Sequence, residues 1–147
     1  MKKSTILIPV IAVLSVWLLI GLIFSPYIIN DIACANYENK VNNIVSNEEN
    51  VKLLEIVSGC GNSSGTGNHT DLYVAVLIET SLSKEKVKEA FNNVRGINLI
   101  KTYNEQTLAM SIINLQFSKT EFINDKNYYI LEFVKKAPLS DFDLRGH

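Results

Sequence analysis

The stretch ILIPVIAVLSVWLLIGLIF, Ile6 to Phe24, decides the architecture of this chain. Ser15 is its only clearly polar residue. At ~1.5 Å rise per residue the stretch forms a helix of about 29 Å, close to the hydrocarbon thickness of a bilayer. The sequence therefore predicts a membrane segment in residues 6–24, and residues 1–30 as a cytoplasmic N-terminus with a transmembrane anchor.

The charges on either side of this stretch predict its orientation. Lys2 and Lys3 precede it, whereas Asp31 and Glu38 follow it. The positive-inside rule then keeps the N-terminus in the cytoplasm and places everything after about Asn30 outside. We therefore expect a single-pass protein of the cell membrane with its C-terminal domain extracellular.

Two other fates of the N-terminus stay open. Ala33-Cys34-Ala35 fits an A-x-A cleavage pattern, and cleavage after Ala35 would release a secreted domain that lacks Cys34. Lipid attachment at Cys34 is the other alternative, although Asp31 stands where a lipoprotein signal has an aliphatic residue. A secretory apolar region is usually shorter than residues 6–24, which favours an uncleaved anchor.

Residues 31–147 are long enough for one domain with its own core. The whole chain has 147 residues, 47% hydrophobic and 20% charged, which is typical of a folded protein. Removing Lys2 and Lys3 from the 14 basic residues leaves 12 against 15 acidic ones, a net charge of −3. This mildly acidic, mixed surface gives no electrostatic reason to expect a nucleic-acid partner.

The apolar pattern after the anchor predicts helices and strands. Ser25-Pro26 is a helix-start signal, and an apolar stripe from Ala33 to Val45 indicates an amphipathic helix. LSKEKVKEAFNNVRG predicts a second helix with Ser83 as N-cap and Gly96 as its stop. Five runs rich in branched and aromatic residues predict strands: Val51–Val57, Asp71–Thr80, Ile97–Tyr103, Leu108–Phe117 and Tyr128–Lys136.

This element order predicts the class of fold. The order is α-β-β-α-β-β-β, and the short connections favour antiparallel neighbours. We therefore predict an α+β protein, in which a transmembrane helix is followed by a two-layer domain of an antiparallel sheet with one or two packed helices.

The two cysteines, Cys34 and Cys60, both fall on the predicted exported side. An even pair in an oxidising compartment predicts a disulfide. Cys34 shares the apolar stripe of its helix with Tyr37 and Val41, so it faces the domain, where it could meet Cys60. A metal site would need further ligands, and only His69 is close in sequence. We predict the disulfide and no metal.

CGNSSGTGNHTD, Cys60 to Asp71, is a polar loop between two predicted strands and the candidate binding surface. Its candidate binding residues are Asn62, Ser63, Ser64, Thr66, Asn68, His69 and Asp71. The glycines lack the following lysine and helix of a phosphate loop. A serine with His69 and Asp71 suggests a hydrolase, but side chains two apart on one strand point the same way, which is poor for an acid–base relay. We predict no catalytic residue and no cofactor.

The ending DFDLRGH, Asp141 to His147, combines acidic and basic side chains. Asp141, Asp143, Arg145 and His147 could form a polar patch in which Arg145 binds an anion. A solvated or docked terminus is the interpretation that mixed charge at a chain end favours.

Three stretches carry a resemblance to known proteins. They are CGNSSGTGNHTDLYVAVLI from Cys60 to Ile78, LSKEKVKEAF from Leu82, and DFDLRGH from Asp141. On these residues the chain resembles a group of small, membrane-anchored exported proteins of low-GC Gram-positive bacteria. The resemblance covers most of the predicted exported part. It implies the topology described above and carries over no catalytic residue.

Together these patterns predict a non-catalytic binding or interaction module with a cell-surface or envelope protein partner. The alternative is a pilin- or pseudopilin-like structural subunit, because a long apolar helix running into an amphipathic one before an antiparallel sheet has that outline. MKKSTILIPV, however, lacks the glycine cleavage site and the glutamate of such proteins. A hydrolase that uses the Cys60 to Asp71 loop is the third and most distant alternative.

Overall fold

The computed structural model describes residues 4–63, 65, 67–94, 97–102, 117–118 and 125–146 of an α+β protein. The elements in chain order are α1 (Ser4–Ser46), β1 (Val51–Gly61), β2 (Asp71–Thr80), α2 (Lys84–Ala90), β3 (Ile97–Thr102) and β4 (Asn127–Lys136), followed by two 3-10 turns at Ser140–Phe142 and Leu144–Gly146. The predicted Leu108–Phe117 strand lies outside the described residues, except for Phe117.

Helix α1 runs without interruption through Pro26, so the predicted helix start at Ser25-Pro26 is wrong. Proline has no N–H to donate to the carbonyl one turn earlier, which here belongs to Leu22. The Ser25 hydroxyl donates to that carbonyl oxygen at 3.2 Å and satisfies it instead. The apolar and amphipathic segments therefore form one rod of 43 residues, about 64 Å long.

The two ends of α1 differ completely in burial. Every side chain from Pro9 to Phe24 is exposed, and the large apolar ones expose 40–67% of their surface. Beyond this stretch one side of the helix is buried, at Asn30, Cys34, Val41 and Val45. The same helix is thus a bare apolar rod at one end and part of the core at the other.

The four strands form one antiparallel sheet in the order β1-β2-β4-β3. Central strand β2 has the predicted bounds and is buried along its whole length. Strand β1 continues past the predicted end at Val57, because Ser58–Gly61 pair with the first four residues of β2. The candidate loop therefore sits at the tip of a long hairpin.

The core lies on both faces of this sheet. Alternate residues of β2 contribute to opposite clusters, with Val74 and Val76 in one and Tyr73 and Ala75 in the other. Both helices pack on the first face, where their buried residues are Val41, Val45, Val87 and Phe91. Because both faces of β2 are buried, its sequence is a nearly continuous run of apolar residues and does not alternate between apolar and polar ones.

Short helix α2 begins as predicted and ends early. The Ser83 side chain accepts a hydrogen bond from the Lys86 N–H, which makes Ser83 the N-cap. The helix ends at Ala90, and Phe91 is its C-cap, so it does not continue toward Gly96. The asparagines that follow Phe91 favour turns over helix, since their side chains compete for backbone hydrogen bonds.

Candidate functional site

The C-terminal tail, residues 137–146, crosses from the end of β4 to helix α1. We call its contact with residues 27–34 of α1 and with Thr70 the tail junction. Asn30 lies at the centre of this junction and is fully buried. Its Nδ2 donates to Asp143 Oδ2 at 2.8 Å, and its Oδ1 accepts from the Leu139 N–H at 3.0 Å. One amide side chain thus binds both the tail backbone and a tail carboxylate.

Asp143 is the buried charge of the tail junction, with no exposed surface. Arg145 donates to it from Nε at 2.9 Å and from Nη2 at 2.6 Å. Burial raises the pKa of Asp143, but the hydrogen bonds from Arg145 and Asn30 outweigh burial and lower it to about 2. The carboxylate is therefore ionised at neutral pH.

Arg145 joins the tail to the exposed side of α1. Its Nη1 donates to Asp31 Oδ1 at 2.5 Å, and its Nη2 donates to the Tyr27 carbonyl at 3.3 Å. The guanidinium carbon lies 5.1 Å from the centre of the Tyr27 ring, within cation–π range. The hydrogen bond to Asp143 raises the pKa of Arg145. The tail is docked, and Arg145 binds two carboxylates of its own chain instead of offering a site for an external anion.

Thr70 fastens the far end of the loop to the same tail. Its N–H donates to Ser140 Oγ at 2.8 Å, and Ser140 Oγ donates back to the Thr70 carbonyl at 2.7 Å. The Thr70 hydroxyl donates to the Asp143 carbonyl at 3.2 Å. A Cβ at Gly146 would come within 2.3 Å of the His69 carbonyl oxygen, so only glycine fits there. The tail and the base of the loop are in direct backbone contact.

The loop itself is closed by its own polar groups. Asn62 Nδ2 donates to the Gly67 carbonyl at 2.7 Å and to the Gly146 carbonyl at 3.3 Å. Gly65 and Gly67 have φ angles of 66° and 75°, which glycine adopts at little cost. The predicted binding residues Ser64 and Thr66 lie outside the described residues. Asn62 thus ties the start of the loop to Gly67 and to the tail.

Asp71 holds two of the predicted binding residues together. It accepts a hydrogen bond from the Ser63 hydroxyl, and its Oδ2 lies 3.3 Å from His69 Nε2. The sequence argument against an acid–base relay places His69 and Asp71 on one strand with their side chains pointing the same way. His69 instead precedes β2, so this premise does not hold. Here the carboxylate lies between hydroxyl and imidazole, whereas in a serine–histidine–aspartate relay the imidazole lies between the other two. Ser63 donates to an anion and is not aligned with a base.

In the part of the loop that the structure describes, most polar side chains are bonded within the protein. Ser63 and Asp71 bond each other inside it, and Asn62 bonds its backbone. His69 has 30% of its side chain exposed, and Asn68 is exposed. Of the predicted binding residues that the structure describes, Asn68 is exposed and Asn62, Ser63 and His69 are half-buried. We call Asn68 and its neighbour His69 the outward surface of the loop.

The two cysteines meet beside the tail junction, as their helical phase predicts. Both are free thiols, and they share a small apolar cluster with Leu72 and Ala137. Cys60 Sγ also donates to the Asn30 carbonyl at 3.3 Å. Contact with Cys60 lowers the pKa of Cys34 to about 7 although burial opposes this, and the same contact raises the pKa of Cys60. The pair is placed for disulfide formation, and the covalent bond stays a prediction.

The tail junction was missed by sequence reasoning, although two signals point to it. Asn30 is an amide directly after the apolar run, and Asp143 alternates with apolar neighbours in the tail. Within the described ranges, no group of three or more His, Cys, Asp or Glu side chains could hold a metal ion. Comparisons of the chain with protein-family models, curated proteins and solved structures give no match.

Proposed function

We propose that this protein is a single-pass membrane-anchored extracytoplasmic domain that acts as a non-catalytic binding or interaction module. The proposal of a membrane anchor rests on the exposed apolar half of α1. The helix is long and apolar enough to cross a membrane, and only 6% of its most apolar 18-residue stretch is buried in the protein. An apolar surface of this extent is rare on a soluble monomer, since water contact with it is unfavourable. A bilayer would cover it.

The tail junction supports retention of the anchor over its removal. Cleavage after Ala35 would separate Asn30 and Asp31 from the domain. Asp143 would then lose its hydrogen bond from Asn30, and Arg145 would lose its ion pair with Asp31. It would also remove Cys34 from its cluster. A mature domain without these residues would keep a buried carboxylate with fewer partners, which costs free energy. The resemblance to membrane-anchored exported proteins supports the same topology.

The anchor is tested by placing charges in the apolar half of α1. Leu14→Arg with Leu18→Arg should move the protein from the alkaline-carbonate-resistant membrane fraction to the supernatant, because each central arginine costs ~2.5–3.5 kcal/mol on insertion. The control is Asn39→Arg with Asn43→Arg, two exposed positions on the domain half of the helix, and it should stay in the membrane. Release of the wild-type chain by carbonate would contradict the anchor.

Orientation is tested by labelling engineered cysteines in intact cells. Glu49→Cys, in a chain with both native cysteines changed to serine, lies in the exposed turn after α1. It should react with a membrane-impermeant maleimide in intact cells, whereas Lys3→Cys in the same background should react only after permeabilisation. The reverse pattern would overturn the proposed topology.

The binding proposal centres on the outward surface of the loop, Asn68 and His69. Asn62 holds Gly67 and the tail holds the base of the loop, which reduces the conformational entropy lost at these residues when a partner binds. A photo-crosslinking residue at Asn68 should capture a partner in intact cells, and the same residue at Glu49 should not. Identical adducts at both positions, or none at Asn68, would remove the support for a binding loop.

A pilin- or pseudopilin-like subunit is the second candidate. It is favoured by the uninterrupted α1, whose apolar half projects while its other half packs on an antiparallel sheet. Fibres in sheared material together with a processed N-terminus would favour this candidate over the binding module. For the hydrolase alternative, the Ser63 hydroxyl donates to Asp71 and not to His69, which does not support Ser63 as its nucleophile.

A further inference from the structure

In the C-terminal tail two polar side chains, Ser140 and Asp143, are buried, whereas two large apolar side chains lie outside beside the exposed Asp141. Asp143 is fully buried and Arg145 turns toward α1, whereas Phe142 and Leu144 are 71% and 61% exposed. Among the described residues, these two are the only large apolar side chains outside α1 that are classed as exposed. The backbone of the tail is held by Asn30 and Thr70. Phe142 and Leu144 are therefore held outward by an ordered segment.

The position of this segment along α1 indicates what covers it. The tail binds α1 at Tyr27, Asn30 and Asp31, which begin three residues after Phe24. These residues lie about 5 to 10 Å beyond the apolar stretch along the helix axis. The headgroup region on each side of a bilayer is roughly 5 to 8 Å thick. If residues 6–24 cross the bilayer, the tail lies at the level of the lipid headgroups.

Helix α1 keeps exposed apolar side chains at the level where the tail binds it. Ile28 and Ile32, on the same turns of α1, expose 59% and 58% of their surface. The charges nearby balance in sign: Lys135, Lys136 and Arg145 against Asp31, Asp141 and Asp143. A surface without net charge gives little attraction to anionic lipid specifically, so burial of apolar side chains would drive the contact.

We propose that Phe142 and Leu144 insert into the interfacial layer of the bilayer that α1 crosses, so that the tail junction seats the domain on the phospholipid surface. This inference rests on the proposed membrane anchor and deepens it. The domain would then be held at two points, by the spanning helix and by the tail. The candidate loop, which is bonded to the tail, would face the space next to the membrane.

The test uses tryptophan fluorescence in the full chain, reconstituted into phosphatidylcholine vesicles. Trp17 is the only native tryptophan and reports on the anchor. Phe142→Trp in a Trp17→Phe background reports on the tail, and Leu144→Trp is an independent second reporter. Glu49→Trp in the same background is the matched control, because the far end of α1 lies about 22 Å farther along the helix than Asp31. The vesicles carry bromine either near the headgroups or deep in the acyl chains.

We expect Trp17 to lose most of its emission to deep bromines, and Phe142→Trp and Leu144→Trp to lose most of theirs to shallow bromines. Glu49→Trp should keep its emission in both kinds of vesicle. Quenching of Trp17 without quenching at either tail position would overturn the inference and leave the anchor standing. Blue-shifted tail emission without quenching would mean that protein covers the tail, which also overturns it. No quenching at any position would overturn the anchor as well.

Discussion

At the scale of single residues, the tail junction is built around the carboxylate of Asp143. A buried charge of this kind destabilises a fold unless its partners are complete. Here Asn30 and Arg145 complete them. Asp141, two residues before Asp143, forms an ion pair with Lys136 in which Nζ and Oδ1 are 3.0 Å apart. Both side chains of this pair are more than 60% exposed. Two aspartates of one short segment should therefore contribute very differently to stability.

We expect Asp143→Asn to lower the free energy of unfolding by about 2 to 3 kcal/mol, because it leaves Arg145 without its buried partner. Asp141→Asn, the matched control, should change it by less than ~1 kcal/mol, as exposed pairs do. Urea denaturation of each variant in detergent micelles would measure both changes. Equal effects of the two substitutions would contradict the role given to the buried carboxylate.

The same carboxylate predicts how stability depends on pH. The pKa of Asp143 in the folded protein is about 2, below the usual ~3.9 of an aspartate. Its contribution, ~2 kcal/mol, is therefore present above pH ~4 and is lost as the pH falls toward 2. In Asp143→Asn this part of the pH dependence should be missing. An unchanged acid profile in that variant would assign the acid sensitivity to other groups.

The cysteine pair gives a third prediction at this scale. Treatment of the folded protein with oxidised glutathione, a disulfide donor, should join Cys34 to Cys60 and lower the mass of the chain by two hydrogens. In the chain-entropy view the closed loop then stabilises the fold by about 3 to 4 kcal/mol, measured as a shift in the urea midpoint. Cys34→Ser should show neither change. A glutathione adduct that persists on the wild-type chain would show that the two sulfurs do not reach each other.

At the scale of elements, strand β2 could be predicted to the residue because burial on both faces leaves an uninterrupted apolar run. The far end of β1 could not, since Ser58 to Gly61 have weak strand propensity and pair only because β2 supplies a ladder. The sequence predicts a new helix start at Pro26, whereas α1 is continuous there. The Ser25 hydroxyl donates to the carbonyl that proline leaves without a donor, and helix propensities do not include such a side-chain contact.

The candidate site was predictable in part for similar reasons. The meeting of Cys34 and Cys60 follows from helical phase, which a sequence displays directly. The contact between His69 and Asp71 depends on where β2 begins, and a shift of one or two residues reverses the geometry. The tail junction joins residues more than 100 positions apart, and no local pattern encodes such a distance. The long-range polar contacts were therefore the part that sequence reasoning missed.

The docking of the tail as an element is tested at Gly146. Gly146→Ala places a methyl group against the His69 backbone, so the tail should separate from the loop at a cost of about 1 to 3 kcal/mol. The Thr70 N–H, which donates to Ser140, should then exchange faster with deuterium. Gly21→Ala is the control, because an added Cβ there meets no atom within 4 Å. Unchanged exchange at Thr70 in Gly146→Ala would mean that the tail is not held at this point.

At the scale of the whole molecule, the domain and the apolar rod share a helix but no core. All side chains from Pro9 to Phe24 are exposed, so they give the folded domain no packing energy. The buried residues of α1 begin at Pro26, and from Asn30 they belong to the tail junction and then to the sheet. Stability and membrane attachment are thus assigned to separate parts of one continuous element.

A chain that begins at Ser25 should therefore fold without a membrane. We expect its free energy of unfolding to lie within ~0.5 kcal/mol of that of the full chain in micelles, as surface changes usually do. A chain that begins at Asn36 would lack Asn30 and Cys34 and should be clearly less stable. Urea denaturation followed by circular dichroism compares the two. Equal stability of both truncated chains would show that the tail junction is dispensable.

The tail junction also sets an order on how the protein is made. Asn30 and Asp143 are 113 residues apart in the chain. At 5–20 residues per second, roughly 6 to 23 seconds pass between the synthesis of the two. During that interval the newly made helix presents an amide with no tail to bind, while the hairpin and the central strands can already pair. The joint nearest the apolar rod is therefore the last to close, and a released chain that ends before Asp143 keeps all four strands of the sheet but leaves the base of the domain open.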